Sequence, residues 1–375
     1  MTVSAMGRLV GVVLILSAGA ARADWEPLDS FDESGLYAIY DHLVPGAKNQ
    51  LLSLISERGN GNRPVVIRSL DLKTGKSAIV DRTDGVDGGG IALTPNGRVV
   101  YVGNHYSNGW FFFVRVGSPD DPTSFHTALD YQGPEQESTY AEGVGSHAGM
   151  IFAVGGQTKT GMTGTSAWLV MKSSDDGETW SRSDFLPSDR PAIAHAIAFT
   201  PTGAIVVGGR IYDSELNAWR GFFRRSADGG NTWQTVHETV DQGRYTNITE
   251  IVGAADGTLY ALQMINDLTS ARSYLLISKD DGLTWTESPI QPQNTFDAML
   301  GLAVDPVSGD LFASGWWHDG APGRWRTRKS TDGGMTWSIE DDAEGAAMSL
   351  LATPSGDLVA AGFNGQQAVL RHLVR

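Results

Sequence analysis

Short apolar stretches alternate with turn residues along most of the chain, and no long stretch has a helical period. One segment shows the arrangement well, with "AIAFT" from Ala196, "AIVVGG" from Ala204, "GFFRRS" from Gly221 and "TWQTVH" from Thr232. Pro and Gly in the first turn, "TPTG", adopt backbone angles that other residues resist. The pattern predicts four antiparallel strands, named A to D in chain order.

A second pattern, S-x-D-x-G-x-T-W, recurs between strands C and D about every 52 residues. A fixed period of this length is typical of β-propellers, in which each repeat is one four-stranded blade. Two weaker copies, "SPDDPTSF" and "SLDLKTGKS", extend the series towards the N-terminus. The full copies start at Ser173, Ser226, Ser278 and Ser330, and the weaker ones at Ser118 and Ser69.

The blade count depends on the two ends of the chain. Six units carry a full or weak copy of the pattern, and residues 346–375 supply strands A, B and C of another unit without a strand D. The segment "DWEPLDSF", residues 24–31, resembles the other D strands, tryptophan included. We therefore predict an all-β, seven-bladed β-propeller of four-stranded antiparallel blades, with the last blade closed by the N-terminal strand. Six blades is the alternative.

The repeated pattern is that of the Asp-box, or BNR repeat, and the chain resembles the Asp-box propellers along nearly its whole length. That family includes sialidases, xyloglucan-cleaving glycosidases, sortilin-type receptors and photosystem II assembly factors. The resemblance implies that the box is structural and lies away from any active site, with calcium binding as a minor alternative. Its acids are expected to hold the turn and its tryptophans to fill the gap between blades. These structural residues are Asp175, Trp180, Asp228, Trp233, Asp280, Trp285, Asp332 and Trp337.

The resemblance to sialidases covers the scaffold but not the catalytic residues. Sialidases bind the substrate carboxylate with three arginines, one of them in an early F/Y-R-I-P motif, and this motif is missing here. The first A strand, "GLYAIYD" from Gly35, contains no arginine. The resemblance to xyloglucan-cleaving enzymes also weakens, because their site lies between two propellers and this chain builds one.

Charge and composition exclude some partners. The formal net charge is −15, so we expect neither a nucleic acid partner nor attraction to an anionic membrane surface. No cysteine is present, which excludes disulfides and thiol nucleophiles. No side chains occur at metal-ligand spacing, and we expect neither a metal nor another cofactor.

The first 23 residues have the pattern of an export signal. Arg8 precedes the apolar stretch "LVGVVLILSAGA", and "ARA" offers small residues at the expected cleavage spacing after Ala23. We predict a signal peptide at residues 1–23 and one propeller domain at residues 24–375, without membrane insertion after cleavage; an uncleaved anchor is the alternative. The mature protein is expected to be a periplasmic or extracellular monomer.

Candidate catalytic residues come from strand A, next to the propeller axis. One position of this strand holds the small residues Gly90, Ala196, Gly301 and Ser349 in four blades. The repeat alignment assigns Glu142 and Glu250 to the same position in blades 3 and 5, with His195 one residue earlier in blade 4. Two carboxylates and an imidazole could perform acid–base chemistry, and a water-filled polar channel is the alternative.

Further candidates lie in the loops between strands B and C, which share a face with the channel mouth. Aromatic and polar side chains alternate there, as suits binding of a glycan or peptide; packing between loops is the alternative. The candidate ligand-binding residues are His105, Tyr106, Arg210, Tyr212, Trp316, Trp317 and His318.

Three functions remain open from the sequence. The first is a module that binds a carbohydrate or another small polar ligand at the channel mouth. The second is an enzyme resembling a glycoside hydrolase or lyase that uses Glu142, His195 and Glu250. The third is an assembly scaffold for another exported protein, which the charge makes less similar to the photosystem assembly factors because those use a basic patch.

Overall fold

The fold is described from a computed structural model. It describes residues 24–31, 37–47, 49–58, 64–134, 137–158, 167–188, 191–239, 245–266, 270–290, 296–318, 323–365 and 367–374. The predicted signal peptide at residues 1–23 lies outside this part of the chain. Within these ranges, no helix is long and apolar enough to cross a membrane.

The described residues form 28 strands, which divide into seven antiparallel blades of four. Blade 1 contains β2 (Tyr37–Pro45), β3 (Gln50–Arg58), β4 (Val65–Asp71) and β5 (Ser77–Thr83). Blade 2 contains β6 (Val86–Leu93), β7 (Val99–Tyr106), β8 (Trp110–Ser118) and β9 (Asp121–Tyr131). Blade 3 contains β10 (Thr139–His147), β11 (Met150–Gln157), β12 (Ala167–Ser173) and β13 (Ser181–Pro187). Blade 4 contains β14 (Ala192–Phe199), β15 (Ile205–Asp213), β16 (Ala218–Ser226) and β17 (Gln234–Thr239).

The remaining three blades follow the same order. Blade 5 contains β18 (Tyr245–Gly253), β19 (Leu259–Asn266), β20 (Ala271–Ser278) and β21 (Thr286–Pro289). Blade 6 contains β22 (Phe296–Val304), β23 (Leu311–His318), β24 (Arg324–Ser330) and β25 (Ser338–Glu344). Blade 7 contains β26 (Ala346–Ala352), β27 (Leu358–Phe363), β28 (Ala368–Val374) and, as its fourth strand, β1 (Asp24–Phe31).

The ring closes in blade 7 through the two ends of the chain. Strand β1 pairs antiparallel with β28, from Asp24 opposite Val374 to Phe31 opposite Ala368. This pairing confirms the predicted closure by the N-terminal strand. It also leaves no unpaired sheet edge at the point where the ring is closed.

The apolar core is divided among the contacts between blades. Seven clusters of buried side chains occur in the described residues, and each joins two neighbouring blades. The cluster between blades 7 and 1, for example, packs Phe31 with Tyr40, Ile55, Val359 and Leu370. Because every blade has an apolar face on both sides, its buried strands are continuous apolar runs rather than alternating ones.

The Asp-box holds the turn between strands C and D, as predicted. In blade 3, the Asp175 carboxylate accepts hydrogen bonds from the Thr179 amide (2.9 Å), the Thr179 hydroxyl (2.5 Å) and the Ser173 hydroxyl (2.8 Å). These bonds lower the pKa of Asp175 to about 2. In the boxes of blades 4, 5 and 6, the aspartate carboxylate likewise accepts hydrogen bonds from the amide and the hydroxyl of the threonine.

The box glycine and tryptophan join each box to the preceding blade. In blade 6, the Trp337 indole donates to the Gly334 carbonyl (3.2 Å) and packs in the cluster shared with blade 5. Gly334 has a φ of 93°, and a Cβ added there would lie 2.3 Å from Leu275 of blade 5. The box tryptophans of blades 3, 4 and 5 likewise pack in the cluster that each blade shares with its predecessor. These tryptophans therefore pack between neighbouring blades.

A repeated ion pair forms a further contact between blades, and nothing in the sequence analysis anticipated it. An arginine at the same position of strand C forms an ion pair with an aspartate of strand D in the preceding blade. Both residues lie beside a β-bulge of their strand pair. At the contact between blades 2 and 3 the two positions hold Leu129 and Met171, which pack in the apolar cluster there. The pairs are Arg68–Asp29, Arg115–Asp81, Arg224–Asp184 and Arg371–Asp341.

Candidate functional site

Strand A carries a β-bulge at the same place in every blade, and this bulge sets which side chains line the propeller axis. In each pair of strands A and B, one residue of strand A has no partner, and the residue after it resumes the ladder. A bulge bends its strand and redirects the side chains beside it. The unpaired residues are Asp41, Gly89, Glu142, His195, Thr249, Leu300 and Met348.

The bulge corrects one predicted alignment. Glu142 is the bulge residue of blade 3, so it is equivalent to His195 and not to Gly90, Ala196 or Glu250. Gly143 takes the position expected for Glu142, because it is the first residue after the bulge, as Gly90, Ala196 and Glu250 are in their blades. The three predicted catalytic candidates nevertheless meet in one channel.

The channel along the axis has two chambers. The upper chamber, at the face of the loops between strands B and C, has a volume of about 550 Å³. The lower chamber, towards the turns between strands A and B, has a volume of about 310 Å³. Five side chains line both chambers and form the ring between them: His42, Glu142, His195, Thr249 and Glu250.

The ring combines groups that can hold and transfer protons. The Glu142 carboxylate lies 3.5 Å from Nδ1 of His195. Burial raises the pKa of Glu250 to about 8, so that this carboxyl group is mostly neutral at pH 7. Burial also lowers the pKa of His42 to about 4, against the opposing effect of the Glu142 charge. A neutral acid and a carboxylate therefore face the same narrow part of the channel.

The position of Glu142 depends on Asn104 of blade 2. The Asn104 side chain accepts a hydrogen bond from the amide of Ala141 (2.7 Å) and donates one to its carbonyl (3.1 Å). Ala141 directly precedes the bulge and is fully buried. The close approach needs Gly89, because a Cβ there would lie 2.4 Å from the Ala141 carbonyl oxygen. Asn104 thus fixes the backbone next to Glu142 on the side facing blade 2.

The upper chamber has an aromatic wall and a group of acids. Trp110 and Tyr140 stand side by side, with ring centroids 6.1 Å apart. Carboxylates of blades 1, 2 and 3 line the same space, and one of them, Glu57, lies 3.3 Å from Arg82. The chamber-lining carboxylates outside the ring are Asp41, Glu57 and Asp87.

The aromatic and histidine candidates of the loops do not line either chamber. His105 contacts Asp130 (2.6 Å) and stacks on Phe111, while Tyr106 is two-thirds exposed at the outside of Trp110. The Tyr212 hydroxyl donates to Asn217 (2.5 Å). Packing between loops accounts for these three contacts.

The loop candidates of blade 6 also pack locally. Trp316 stacks on His318 with centroids 5.8 Å apart. The Trp317 ring lies under the Arg326 guanidinium at 4.0 Å. Their predicted ligand-binding role stays a prediction, and the lining of the two chambers does not include them.

Arg210 is also absent from the lining of both chambers, but it differs from the other loop candidates in its position. It occupies the position in strand B that Ser56 and Asn104 occupy in blades 1 and 2, and both of those line the upper chamber. Its guanidinium lies between the rings of Trp219 (4.8 Å) and Tyr245 (4.7 Å). Burial lowers its pKa, and the negative charge of Glu142 across the mouth opposes that effect.

No group of three or more metal-ligating side chains is found among the described residues. The side chains that line the channel can form hydrogen bonds, stack on a ligand and, in the ring, transfer protons.

Several residues of the site escaped the sequence analysis, namely Asp41, His42, Glu57, Asp87, Asn104, Tyr140 and Thr249. Blade 1 has only a weak box, so the alignment did not reach the bulge that contains Asp41 and His42. The three consecutive glycines at residues 88–90 are a signal that could have found Asn104, because they mark a close approach of two backbones.

Comparisons with known proteins agree with the fold. A family model described as a BNR repeat-like domain matches residues 144–306. No match was found among the curated proteins.

Several solved propellers superpose on most of the chain at low sequence identity. An ulvan lyase of polysaccharide lyase family PL25 has a TM-score of 0.61 and 12% identity, over 92% of this chain and 96% of its own. YCF48 bound to D1 peptide has a TM-score of 0.55 and 13% identity, over 94% of this chain and 97% of its own. The α-L-arabinofuranosidase Arb93A from Fusarium graminearum has a TM-score of 0.52 and 13% identity, over 78% of this chain and 93% of its own. At these identities the likeness extends to the fold alone.

Proposed function

This chain belongs to the Asp-box, or BNR-repeat, β-propellers, and we propose that it binds a saccharide in the upper chamber. One observation carries the proposal: a chamber of about 550 Å³ has Trp110 and Tyr140 as one wall and the acid-lined ring as its floor. The size suits one or two sugar units, since ligand pockets commonly span about 300–1,000 Å³.

The chemistry of the walls supports a sugar as the occupant. The C–H face of a pyranose is apolar and packs on an aromatic ring, while its hydroxyls need hydrogen-bond acceptors and donors. Glu142 and Asn104 supply such groups from blades 3 and 2, the two blades that also carry the aromatic pair. The acceptors are mostly carboxylates, which bind the hydroxyls of a sugar by charge-assisted hydrogen bonds.

The structural neighbours are consistent with this proposal without deciding it. The ulvan lyase has been solved with a bound saccharide, and a related arabinofuranosidase structure contains arabinobiose. YCF48 binds a peptide on the same type of scaffold, so an exported protein partner is the alternative ligand. The export and the monomeric state expected from the sequence stay predictions.

A glycan array followed by calorimetry with the best saccharide tests the proposal. Trp110→Ala removes half of the aromatic wall, and we expect it to weaken binding at least tenfold, since one stacked aromatic ring contributes on the order of 1 kcal/mol or more. Trp316→Ala is the matched control, because it removes a loop tryptophan that lines neither chamber. Loss of binding in Trp316→Ala with retention in Trp110→Ala would refute the chamber and favour the loops.

A second function, hydrolysis of the bound saccharide, is favoured by the state of Glu250. A carboxyl group that is neutral at pH 7 can donate its proton to a glycosidic oxygen, and the Glu142 carboxylate can accept a proton from attacking water. We expect Glu250→Gln and Glu142→Gln each to lower kcat at least a hundredfold on a cleaved glycan while binding persists. A hydrolysis screen with reducing-end detection measures this. Full activity in both variants would contradict the catalytic roles of Glu250 and Glu142, and absence of cleavage by the wild type would leave a binding protein.

A further inference from the structure

Arg210 is a cation that the protein fixes in place without using its hydrogen-bond donors. The rings of Trp219 and Tyr245 hold the guanidinium at 4.8 and 4.7 Å. Its Nε is buried and has no acceptor, and no other hydrogen bond or ion pair of this group is found in the described parts of the chain.

Several other partly or fully buried arginines among the described residues are paired with carboxylates. Arg115, Arg224 and Arg371 each donate two hydrogen bonds to one aspartate of the preceding blade. Removing a cation from water without an anion is costly, so a partly buried arginine normally acquires a carboxylate. Arg210 has two aromatic rings instead, which leave the planar edge of the guanidinium available.

The charges around the mouth are separated by side. Apart from Glu250 of blade 5, which burial keeps mostly neutral at pH 7, the acids of the upper chamber come from blades 1, 2 and 3, whereas Arg210 belongs to blade 4 and stacks on Tyr245 of blade 5. The attraction between Arg210 and Glu142 acts across the mouth. A ligand with hydroxyls at one end and an anionic group at the other would match both sides.

We propose that Arg210 binds an oxyanion, a carboxylate or sulfate ester, carried by the saccharide in the upper chamber. The inference rests on the proposed function and narrows its ligand class to acidic saccharides. A planar guanidinium with free N–H groups can bind two oxygens of such an anion at once. Trp219 and Tyr245 act as positioning residues, because they hold the guanidinium before the ligand arrives.

Three matched probes test the ligand class: methyl β-D-glucuronide, methyl β-D-glucoside 6-sulfate and the neutral methyl β-D-glucoside. We expect the wild-type protein to bind at least one acidic probe about tenfold more tightly than the neutral one, as suits a charge-assisted pair. Arg210→Gln is expected to remove this preference and to leave the affinity for the neutral glucoside within about twofold. A preference that survives in Arg210→Gln overturns the proposal.

Arg220→Gln is the matched control for loss of charge. Arg220 lies in the same blade, but its guanidinium forms ion pairs with Asp213 and Glu238. Its loss should leave the preference for the acidic probe unchanged. An equal loss in Arg220→Gln and Arg210→Gln would mean that only overall charge matters, and would overturn the proposal.

A second measurement does not depend on saccharide binding. The Nε–H signal of Arg210 in ¹⁵N spectra is titrated with sodium acetate and sodium sulfate, against sodium chloride at equal ionic strength. A saturable shift with acetate or sulfate supports the anion site, even if no saccharide binds and the proposed function fails. Absence of any shift beyond that caused by chloride overturns it.

Discussion

At the scale of single residues, one unpaired residue in each inner strand determines the chemistry of the channel. Glu142 and His195 are the unpaired bulge residues of their strands, whereas Glu250 lies one position later, where the ladder resumes. The result is a ring in which Glu250 is held neutral by burial while Glu142 remains beside an imidazole. Two glutamates of one sequence pattern thus acquire different properties from their position relative to a bulge.

The pH dependence of stability should report the buried state of Glu250. Its pKa is raised from 4.5 to about 8 in the folded protein, so its contribution to stability is fully present below about pH 4.5. That contribution is lost as the pH rises towards 8, because the unfolded state releases the proton first. At about 1.4 kcal/mol per pKa unit, the loss amounts to several kcal/mol.

Urea unfolding of the wild type and of Glu250→Gln between pH 4.5 and 8.5 measures this effect. The glutamine cannot ionise, so the free energy of unfolding of the variant should fall less over this range than that of the wild type. Glu215→Gln, at an exposed position, should follow the wild type. Parallel curves for the wild type and Glu250→Gln would show that Glu250 ionises normally in the folded protein.

At the scale of strands, two devices connect neighbouring blades: the Asp-box and the arginine–aspartate pair. The spacing and turn chemistry of the box were visible in the sequence, because both are local, and they allowed the blades to be counted. The ion pairs were not visible, because Asp184 and Arg224 are 40 residues apart and their meeting depends on bulges in two different strands. The apolar pair Leu129 and Met171 shows that the same contact can be made without charge.

Replacing an arginine–aspartate pair by the apolar pair found between blades 2 and 3 tests directly whether the two contacts are equivalent. Asp184→Leu leaves the Arg224 guanidinium buried without its partner, and we expect a loss of about 3–5 kcal/mol. The double variant Asp184→Leu/Arg224→Met copies the contact between blades 2 and 3, and should return to within about 1 kcal/mol of the wild type.

Chemical denaturation of the single and double variants measures the coupling. Glu178→Gln is the comparison for an exposed ion pair, with Arg98, and should cost no more than about 1 kcal/mol. A double variant as unstable as the single one would show that the ion pair cannot be replaced at this contact.

At the scale of the whole molecule, the sequence predicted the seven blades and the closure but only part of the site. Repeated turns identify the blades without any knowledge of the contacts between blades. These turns were enough to predict the fold. The site depends instead on which side chains point to the axis, and a one-residue bulge changes that without a clear sequence signal. Glu250 was found because it interrupts a position of small residues, and His195 because it lies next to that position in blade 4, whereas His42 lies in the blade whose repeat is weakest.

Closure between β1 and β28 predicts that the position of the chain ends can be moved. A circular permutant that joins Val374 to Asp24 by a short loop, and opens the turn between Lys73 and Thr74, converts blade 7 into a continuous blade. Blade 1 would then be closed by its own separated fourth strand, β5. We expect a folded protein with a Tm within about 10 °C of the wild type.

Circular dichroism and thermal unfolding check this prediction, and a permutant opened between Ile67 and Arg68, inside β4, is the control. Failure of the first permutant to fold would mean that the natural closure in blade 7 has a role beyond pairing two strands. Failure of the control alone would agree with the prediction.

The pairing of Asp24 with Val374 also sets an order of events during synthesis. The first strand leaves the ribosome before any of its final partners exist, and it has to wait until the last residues have been made. Blades 1 to 6 can assemble as the chain lengthens, but the ring stays open at one edge throughout translation. The last folding step, closure of the ring, can therefore occur only after both β1 and β28 have been made and lie in the same compartment.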